Sequence, residues 1–447
     1  MIKKLIVILL ISNCSLLYAQ TIKTDVLVIG GSPSGVAAAI QCARSKVKTI
    51  LAIRDTSFDG FTGKGVITVE ANRNIPSGIW GEFRKHIKDF YKSTQDYDTT
   101  YNAPLKFEPD TAGHILEKMT DTTKNLTLYF NAPFTAIKKD GDKWEVSITQ
   151  NGKTIKVIAR VVMDATQNGD VAMKAGAKFV SPFNNMMDNS TINTYRTSIA
   201  CGEAFPIQVY NSTIAPKNNY PPFPAFCIPL DVVVSKAVDN ILITENALPA
   251  KKDIQYLPLQ LTLGQGAGTV AAYCAFFKTT TNNLNVRIIQ GELLDFKGYM
   301  QPFTDISPKD ADWRAIQQVC ATGLLKGREL IAENNSQFVF IPDALVNTAE
   351  IKPVLTEIYT RAFLWFNKEK PAEKFTLGNL VSFISDYTLT DPQVLKFRIK
   401  RDWKTQYKFK TDFDLNRQIT RREFAVLANK FLNPFARTVD LNGVLVN

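Results

Sequence analysis

Apolar positions along the chain alternate between continuous runs and spaced stripes, and the two patterns predict different elements. Val26 to Ile29 is a continuous apolar run, as in a strand buried on both faces. A turn of glycine, serine and proline follows. Val36 to Ala43 is then a helix-like run of small residues, and Thr49 to Ile53 is a second apolar run. Further on, Ile79 to Tyr91 reads as a helix carrying Glu82, Arg84, Lys85 and Lys88. Thr111 to Met119 reads as another, with Ile115, Leu116 and Met119 at helical spacing. Four strands are predicted next: Leu126–Phe130, Phe134–Lys138, Trp144–Thr149 and Thr154–Met163. The pairs Asp140-Gly141 and Asn151-Gly152 are hairpin turns between the last three, which makes them an antiparallel meander. After Asp164 the pattern predicts a turn and a helix starting near Asp170. Val238–Thr244 is a strand, and Leu263 to Cys274 is a glycine-rich start to a helix of small residues.

The stretch Thr24–Ile53 carries the chemistry. Strand, glycine turn, helix and strand make the βαβ unit that holds a dinucleotide at the N-terminus of its helix. The turn is Gly30, Gly31, Ser32, Pro33, Ser34 and Gly35. Gly30 allows the tight bend, and Gly35 lets the helix approach the strand. The middle position, where backbone meets diphosphate, is Ser32 rather than glycine; serine is small and its hydroxyl can reach a phosphate. The second strand of such units ends in an acid that holds the ribose. That position is Ile53, followed by Arg54 and Asp55.

Three motifs, GGSPSGVAAAI, DATQNGDVAMKAGA and LGQGAGTVAA, stand in the order of a known family. Together they resemble FAD-dependent oxidoreductases of the glutathione-reductase-like fold, particularly exported bacterial members. IPLDVVVSKAVDNILIT is similar to the strand that precedes the family's last motif. The resemblance spans roughly Thr24 to Leu294. It implies an α/β fold: a Rossmann-like FAD-binding domain with a parallel sheet and β-meander. It also implies FAD as cofactor, with Gly30, Gly31, Ser32, Pro33, Ser34 and Gly35 at the pyrophosphate. Ala165 and Thr166 would lie along the FAD, and Gly264, Gln265, Gly266, Ala267 and Gly268 would start a helix beside the flavin ring. Three positions depart from the family: Ile53 for the ribose acid, Gly60-Phe61 for a Gly-Gly pair, and Glu245 after Thr244 where Gly-Arg is usual. No motif places a catalytic residue; Glu245 is the one candidate base. Gly35→Val is expected to abolish flavin uptake while leaving the protein soluble.

The rest of the chain adds a mainly helical C-terminal domain, 299–447, to an FAD domain at 20–298 with a substrate-facing insertion around 179–224. Phe303-Thr304-Asp305-Ile306, Trp313, Ile316, Gly323 to Gly327, Phe338 and Pro342 resemble one S-layer homology repeat. Leu389-Thr390-Asp391 and Ile419 to Phe424 echo the ends of others. Thr420 with Glu423 is a capping box opening a helix to Leu432. Such modules bind cell-wall glycans or pack on the flavin domain; both readings stay open.

Composition narrows the class. A chain of 447 residues that is 45% hydrophobic can bury a large core. Lys3 and Lys4, the apolar Leu5 to Ile11, and Leu17-Tyr18-Ala19 before Gln20 form a secretory signal, so the chain is expected to be exported to the periplasm or cell surface. No later stretch is apolar enough to span a membrane. Cys42, Cys201, Cys227, Cys274 and Cys320 are scattered, which implies buried thiols rather than a disulfide framework. His86 and His114 stand alone, so a metal site or a Ser-His-Asp triad is not expected. The net charge is +11, and part of it lies in Lys396 to Lys410 among Phe397, Trp403, Tyr407 and Phe409. In an exported chain this reads as the solvated face of a half-buried segment, not a nucleic-acid surface. Two functions follow: an oxidoreductase acting on a small, ring-shaped or polyol substrate, or an inactive flavin fold serving as a cell-surface binding module.

Overall fold

The computed structural model describes residues 20–177, 194–203, 220–222, 224–245, 247, 254–332 and 335–446. The expected secretory signal and most of the expected substrate insertion lie outside the described residues. β1 (Gln20–Ile29) ends in a stretch, Val26–Ile29, in which no residue is more than 3% exposed. Helix α1 (Pro33–Arg44) carries the chain over the sheet, and β2 (Thr49–Ala52) returns parallel to β1, with Val26 opposite Thr49 and Ile29 opposite Ala52. Parallel strands need such a crossover, because a two-residue turn can join only antiparallel ones.

A second excursion follows: β3 (Ile67–Val69), α2 (Gly78–Tyr91), β4 (Leu105–Phe107) and α3 (Pro109–Asp121). It leads to β5 (Leu126–Tyr129), which pairs parallel to β2 at the sheet edge. The meander is β6 (Phe134–Asp140), β7 (Lys143–Gln150) and β8 (Lys153–Asp164). Its turns carry φ of 59° at Gly141, and 50° and 73° at Asn151 and Gly152, the left-handed values that two-residue hairpins require. β8 pairs antiparallel with β7 over Lys153–Ala159 and parallel with β1 over Ile155–Asp164. It therefore joins the meander to the parallel sheet.

Helix α4 (Asp170–Lys174) follows β8, and β9 (Ser198–Gly202) pairs with β10 (Phe226–Pro229). β11 (Ile241–Ile243) then pairs parallel to the end of β8. The seven-stranded sheet has the order β5-β2-β1-β8-β7-β6, with β11 also on β8. The expected α/β class is the observed one.

Helix α5 (Leu257–Phe276) corrects one expectation. It begins at Leu257, so Gly264, Gln265, Gly266, Ala267 and Gly268 lie inside the helix rather than at its start. Three glycines within five residues read as a breaker by propensity alone. They are tolerated because α1 lies directly against them. A Cβ on Gly264 would stand 2.1 Å from the Ser34 carbonyl oxygen, and one on Gly268 would stand 2.5 Å from that of Ala38. The Cys42 thiol donates to the Gly268 carbonyl at 3.2 Å. Small residues four apart on both helices thus set two parallel helices in backbone contact.

Helices α6 (Val286–Asp295) and α7 (Trp313–Cys320), the hairpin β12 (Arg328–Ala332) and β13 (Asn335–Val339), and helices α8 (Thr348–Ile358), α9 (Ala362–Glu369), α10 (Leu377–Thr388), α11 (Pro392–Asp402) and α12 (Arg421–Phe431) complete the described chain. Three short segments before α8, α10 and α12 bond in a ring. Val346 N–H donates to the Ile419 carbonyl at 3.0 Å, Ile419 to Phe375 at 3.0 Å, and Phe375 to Val346 at 3.2 Å. These bonds tie the segments that lead into α8, α10 and α12 to one another. The predicted capping box forms: Thr420 Oγ1 accepts from Glu423 N–H at 3.3 Å, and Glu423 Oε2 accepts from Thr420 N–H at 3.1 Å. The larger of two buried apolar clusters includes residues from Val26 to Val439, and the smaller holds Leu27, Ile29, Trp144, Val157 and Ile241 of the sheet. In the basic stretch Trp403, Tyr407 and Phe409 are buried, while Phe397 is 68% exposed.

Candidate functional site

The glycine turn lies at the carboxyl end of β1, between that strand and α1. Gly30 has φ of +121°, and a Cβ there would stand 2.2 Å from the Ala165 carbonyl oxygen. No other residue fits. Gly35 is as tight, with a virtual Cβ 2.6 Å from the Ala165 Cβ and 2.8 Å from the Gly30 carbonyl oxygen. Ala165 is fully buried and its N–H donates to the Ile29 carbonyl at 2.8 Å. It is the floor on which the turn rests. Gly35→Val therefore breaks the turn itself, and the expectation that this variant stays folded is corrected.

Ser32 caps α1: its hydroxyl accepts from Gly35 N–H at 3.2 Å. Pro33 occupies the first helical turn, where its missing N–H costs nothing. Ser32 and Ser34 are 2% and 1% exposed, and their hydroxyls are 3.1 Å apart. Ser34 Oγ donates to Glu245 Oε1 at 2.7 Å and lies 2.8 Å from Thr244 Oγ1. Glu245 Oε2 accepts from Gln260 Nε2 at 3.4 Å. β11 delivers Thr244 and Glu245 to this point, because Thr244 N–H donates to the Asp164 carbonyl at 3.0 Å.

The motif after β8 is held by one carboxylate. Asp164, 1% exposed, accepts from Thr166 N–H at 2.9 Å, Thr166 Oγ1 at 2.6 Å and Ala172 N–H at 2.7 Å. Burial pushes its carboxyl above the ordinary value, against the pull of those donors. Thr166 Oγ1 in turn accepts from Asp170 N–H at 2.9 Å. On the other side of the turn, Ile53 is fully buried and packs against Gly31, whose virtual Cβ would be 2.8 Å from Ile53 Cγ2. Asp59 N–H donates to the Gly31 carbonyl at 2.9 Å, which lays the loop after β2 over the turn.

The structure thus brings Gly30 to Gly35, Ala165 and Thr166 together. Gly264 of α5 backs onto the same turn, with a virtual Cβ 2.1 Å from the Ser34 carbonyl oxygen, whereas Gln265 and Gly266 face other elements. Gln265 is 1% exposed; its amide donates to Gln41 Oε1 and to the Phe296 carbonyl and accepts from Ile79 N–H, each at 3.1 Å. Gly266 backs onto the Ile199 carbonyl, where a Cβ would come within 2.5 Å. These are packing roles. One acid escaped the sequence reading. Glu203 accepts from Asn74 N–H and Asn74 Nδ2, each at 2.6 Å, and burial raises its carboxyl above the ordinary value. No local motif marks it; only the fold places Asn74 beneath it. His86 and His114 lie on α2 and α3 beside Glu82 and Glu117. The five described cysteines are free and buried.

A cavity of about 400 Å³ lies at the opposite end of α1 and α5, lined by Arg44, Tyr273, Phe276, Phe277, Ile288 and Glu292. It adjoins the helix C-terminus, whose dipole disfavours phosphate. It is not the site the turn builds.

The family model for FAD dependent oxidoreductases matches residues 25–190. That span holds the buried end of β1, the glycine turn, α1, the meander and the Asp164 motif. The match supports FAD as the cofactor. No curated protein sequence matches the chain. Among solved structures, the p-nitrophenol 4-monooxygenase PnpA from Pseudomonas putida is 12% identical, with 62% of this chain and 84% of that one covered and a TM-score of 0.35. The anhydrotetracycline hydroxylase OxyS from Streptomyces rimosus is 14% identical, covering 62% and 65%, also at 0.35. The bacillithiol disulfide reductase Bdr from Staphylococcus aureus is 16% identical over 32% of this chain and 38% of that one, at 0.23. The chain therefore spans under two fifths of that reductase, and at these TM-scores the likenesses carry no argument. Among the described residues, no helix is long and apolar enough to cross a membrane.

The cradle fits FAD in its backbone. Gly30 and Gly35 permit no side chain, and α1 points its N-terminus at the place where a diphosphate would lie. Gly31, Ser32 and Ser34 are the residues that would hold it. The side chains fit less well: no acid waits at Ile53, and Glu245 already bonds to Ser34.

Proposed function

We propose that this protein is an exported FAD-dependent oxidoreductase acting on a small, ring-shaped or polyol substrate related to carbohydrates. When bound, the flavin supplies hydride transfer. The chain's own part is to seat the diphosphate at the α1 N-terminus and to present substrate from the side of the 179–224 insertion. One observation carries the reading: the turn from Gly30 to Gly35 is packed onto Ala165 so tightly that only glycine serves at both ends. A turn that merely linked a strand to a helix would not need that closeness. The test is the visible spectrum of the purified full-length protein with and without added FAD. Flavin bands that travel with the protein on a sizing column are expected; a colourless protein that takes up no FAD sinks the reading.

A second reading is an inactive flavin fold whose helical C-terminal domain binds a cell-wall glycan or a surface partner. The Glu245–Ser34 bond and the apolar Ile53 favour it. Sedimentation with purified cell-wall polymer discriminates it, since an oxidoreductase with a merely packed C-terminal domain stays in the supernatant.

A further inference from the structure

Helix N-termini carry unpaired N–H groups and a partial positive charge, so an anion there is stabilised. In α1 that role is already filled from within the chain. Gly35 N–H donates to Ser32 Oγ, Ser32 Oγ lies 3.1 Å from Ser34 Oγ, and Ser34 Oγ donates to Glu245 Oε1 at 2.7 Å. The relay runs outward from the helix and ends on a carboxylate. Glu245 is presented by main-chain pairing rather than by its own side-chain freedom: β11 bonds to β8, which bonds to β1. A dinucleotide asks for the reverse pattern, with an acid at the ribose and none at the diphosphate. This chain has Ile53 at the ribose position and Glu245 at the helix terminus.

We propose that Glu245 is an internal stand-in for the diphosphate, which closes the α1 N-terminus until its carboxylate is displaced, and so sets the affinity of this site for FAD. The proposal rests on the FAD reading above. A diphosphate held at this helix end would bring negative charge toward the Ser34 hydroxyl, which now donates to Glu245. Both cannot bond there, and like charges at that spacing repel. Cofactor uptake therefore requires Glu245 to leave Ser34. In the absence of cofactor the same carboxylate stabilises the helix end.

The experiment compares the full-length wild type with Glu245→Gln and Glu245→Gly, titrating each with FAD and separately with inorganic pyrophosphate by calorimetry. Glu245→Gln keeps the shape and an oxygen to accept from Ser34, so it preserves the fold where glycine fails; far-UV circular dichroism checks both. Removing the charge is expected to tighten both ligands by about tenfold to a hundredfold. Wild type that binds FAD as tightly as both variants overturns the proposal and leaves the oxidoreductase reading standing. Variants that gain pyrophosphate but not FAD overturn the proposal together with the FAD reading. Folded variants that bind neither ligand overturn both.

Discussion

Asp164 holds three donors at the end of β8, and its own burial makes it costly to disturb. Asp164→Ala leaves the N–H groups of Thr166 and Ala172 without their acceptor. Urea unfolding should show a loss of about 1–3 kcal/mol, the desolvation cost of orphaned buried groups. Glu203 gives a pH signature. Its native carboxyl is raised above the ordinary 4.5 by burial. The stability tied to that proton is full below the unfolded value and is lost as pH rises through the native one. The thermal midpoint of the wild type should therefore fall relative to Glu203→Gln as pH climbs above 4.5. Parallel pH curves would refute the raised value. Burial shifts Asp164 in the same direction, while Glu82 and Asp310 are held below their ordinary values by Arg44 and Arg422, so the comparison with Glu203→Gln isolates the Glu203 contribution.

Between α1 and α5 the close approach depends on absent side chains. Gly264→Ala gains about 1 kcal/mol of helix propensity. Its methyl, however, would sit 2.1 Å from a backbone carbonyl oxygen, which no rotamer change relieves. Overpacking of this kind costs about 1–3 kcal/mol or more, so a net loss of stability is expected in chemical denaturation. A gain would mean that the helices stand further apart. The helix also fixes the turn from behind, since Ser34 contributes its carbonyl to the Gly264 contact and its hydroxyl to Glu245. A shift of α5 is therefore expected to loosen the relay at the α1 N-terminus.

One buried apolar cluster takes in both sheet residues and the C-terminal helices, and polar clamps cross between them. Arg196, 4% exposed, makes a paired contact with Glu357 at 2.6 Å and donates to the Gly443 carbonyl at 3.3 Å. Glu357→Ala leaves the guanidinium buried without its partner. A fully buried pair would cost about 3–5 kcal/mol to break. Glu357 is 44% exposed, so about 1–3 kcal/mol is expected. Calorimetry of the wild type should show a single transition, because one buried apolar cluster includes described residues of both the sheet and the C-terminal helices. Two resolved transitions would contradict that. A chain cut at Pro302 loses Trp313 from Tyr299 and Gln317 from the Met300 N–H, and should bind a hydrophobic dye.

The βαβ unit, the meander and the capping box at Thr420 were legible because each is set by neighbours in sequence: a period of two, a hairpin turn, an N-cap three residues from its partner. The α/β class followed from their order. The glycines of α5 misled for the same reason, since local propensity marks a breaker and cannot see the helix packed against it. The ring of main-chain bonds among Val346, Phe375 and Ile419 was not legible, because such bonds leave little trace in side-chain pattern. Glu245 stood out in sequence as a departure and a candidate base. Its partner Ser34 lies 211 residues away, and only the pairing of β11 with β8 brings the two together. The sequence by itself determined which stretches become strands and helices and that a turn shaped for a dinucleotide lies between them. The tertiary structure decided what fills that turn, because the charge facing a helix terminus depends on a strand that arrives from elsewhere in the chain.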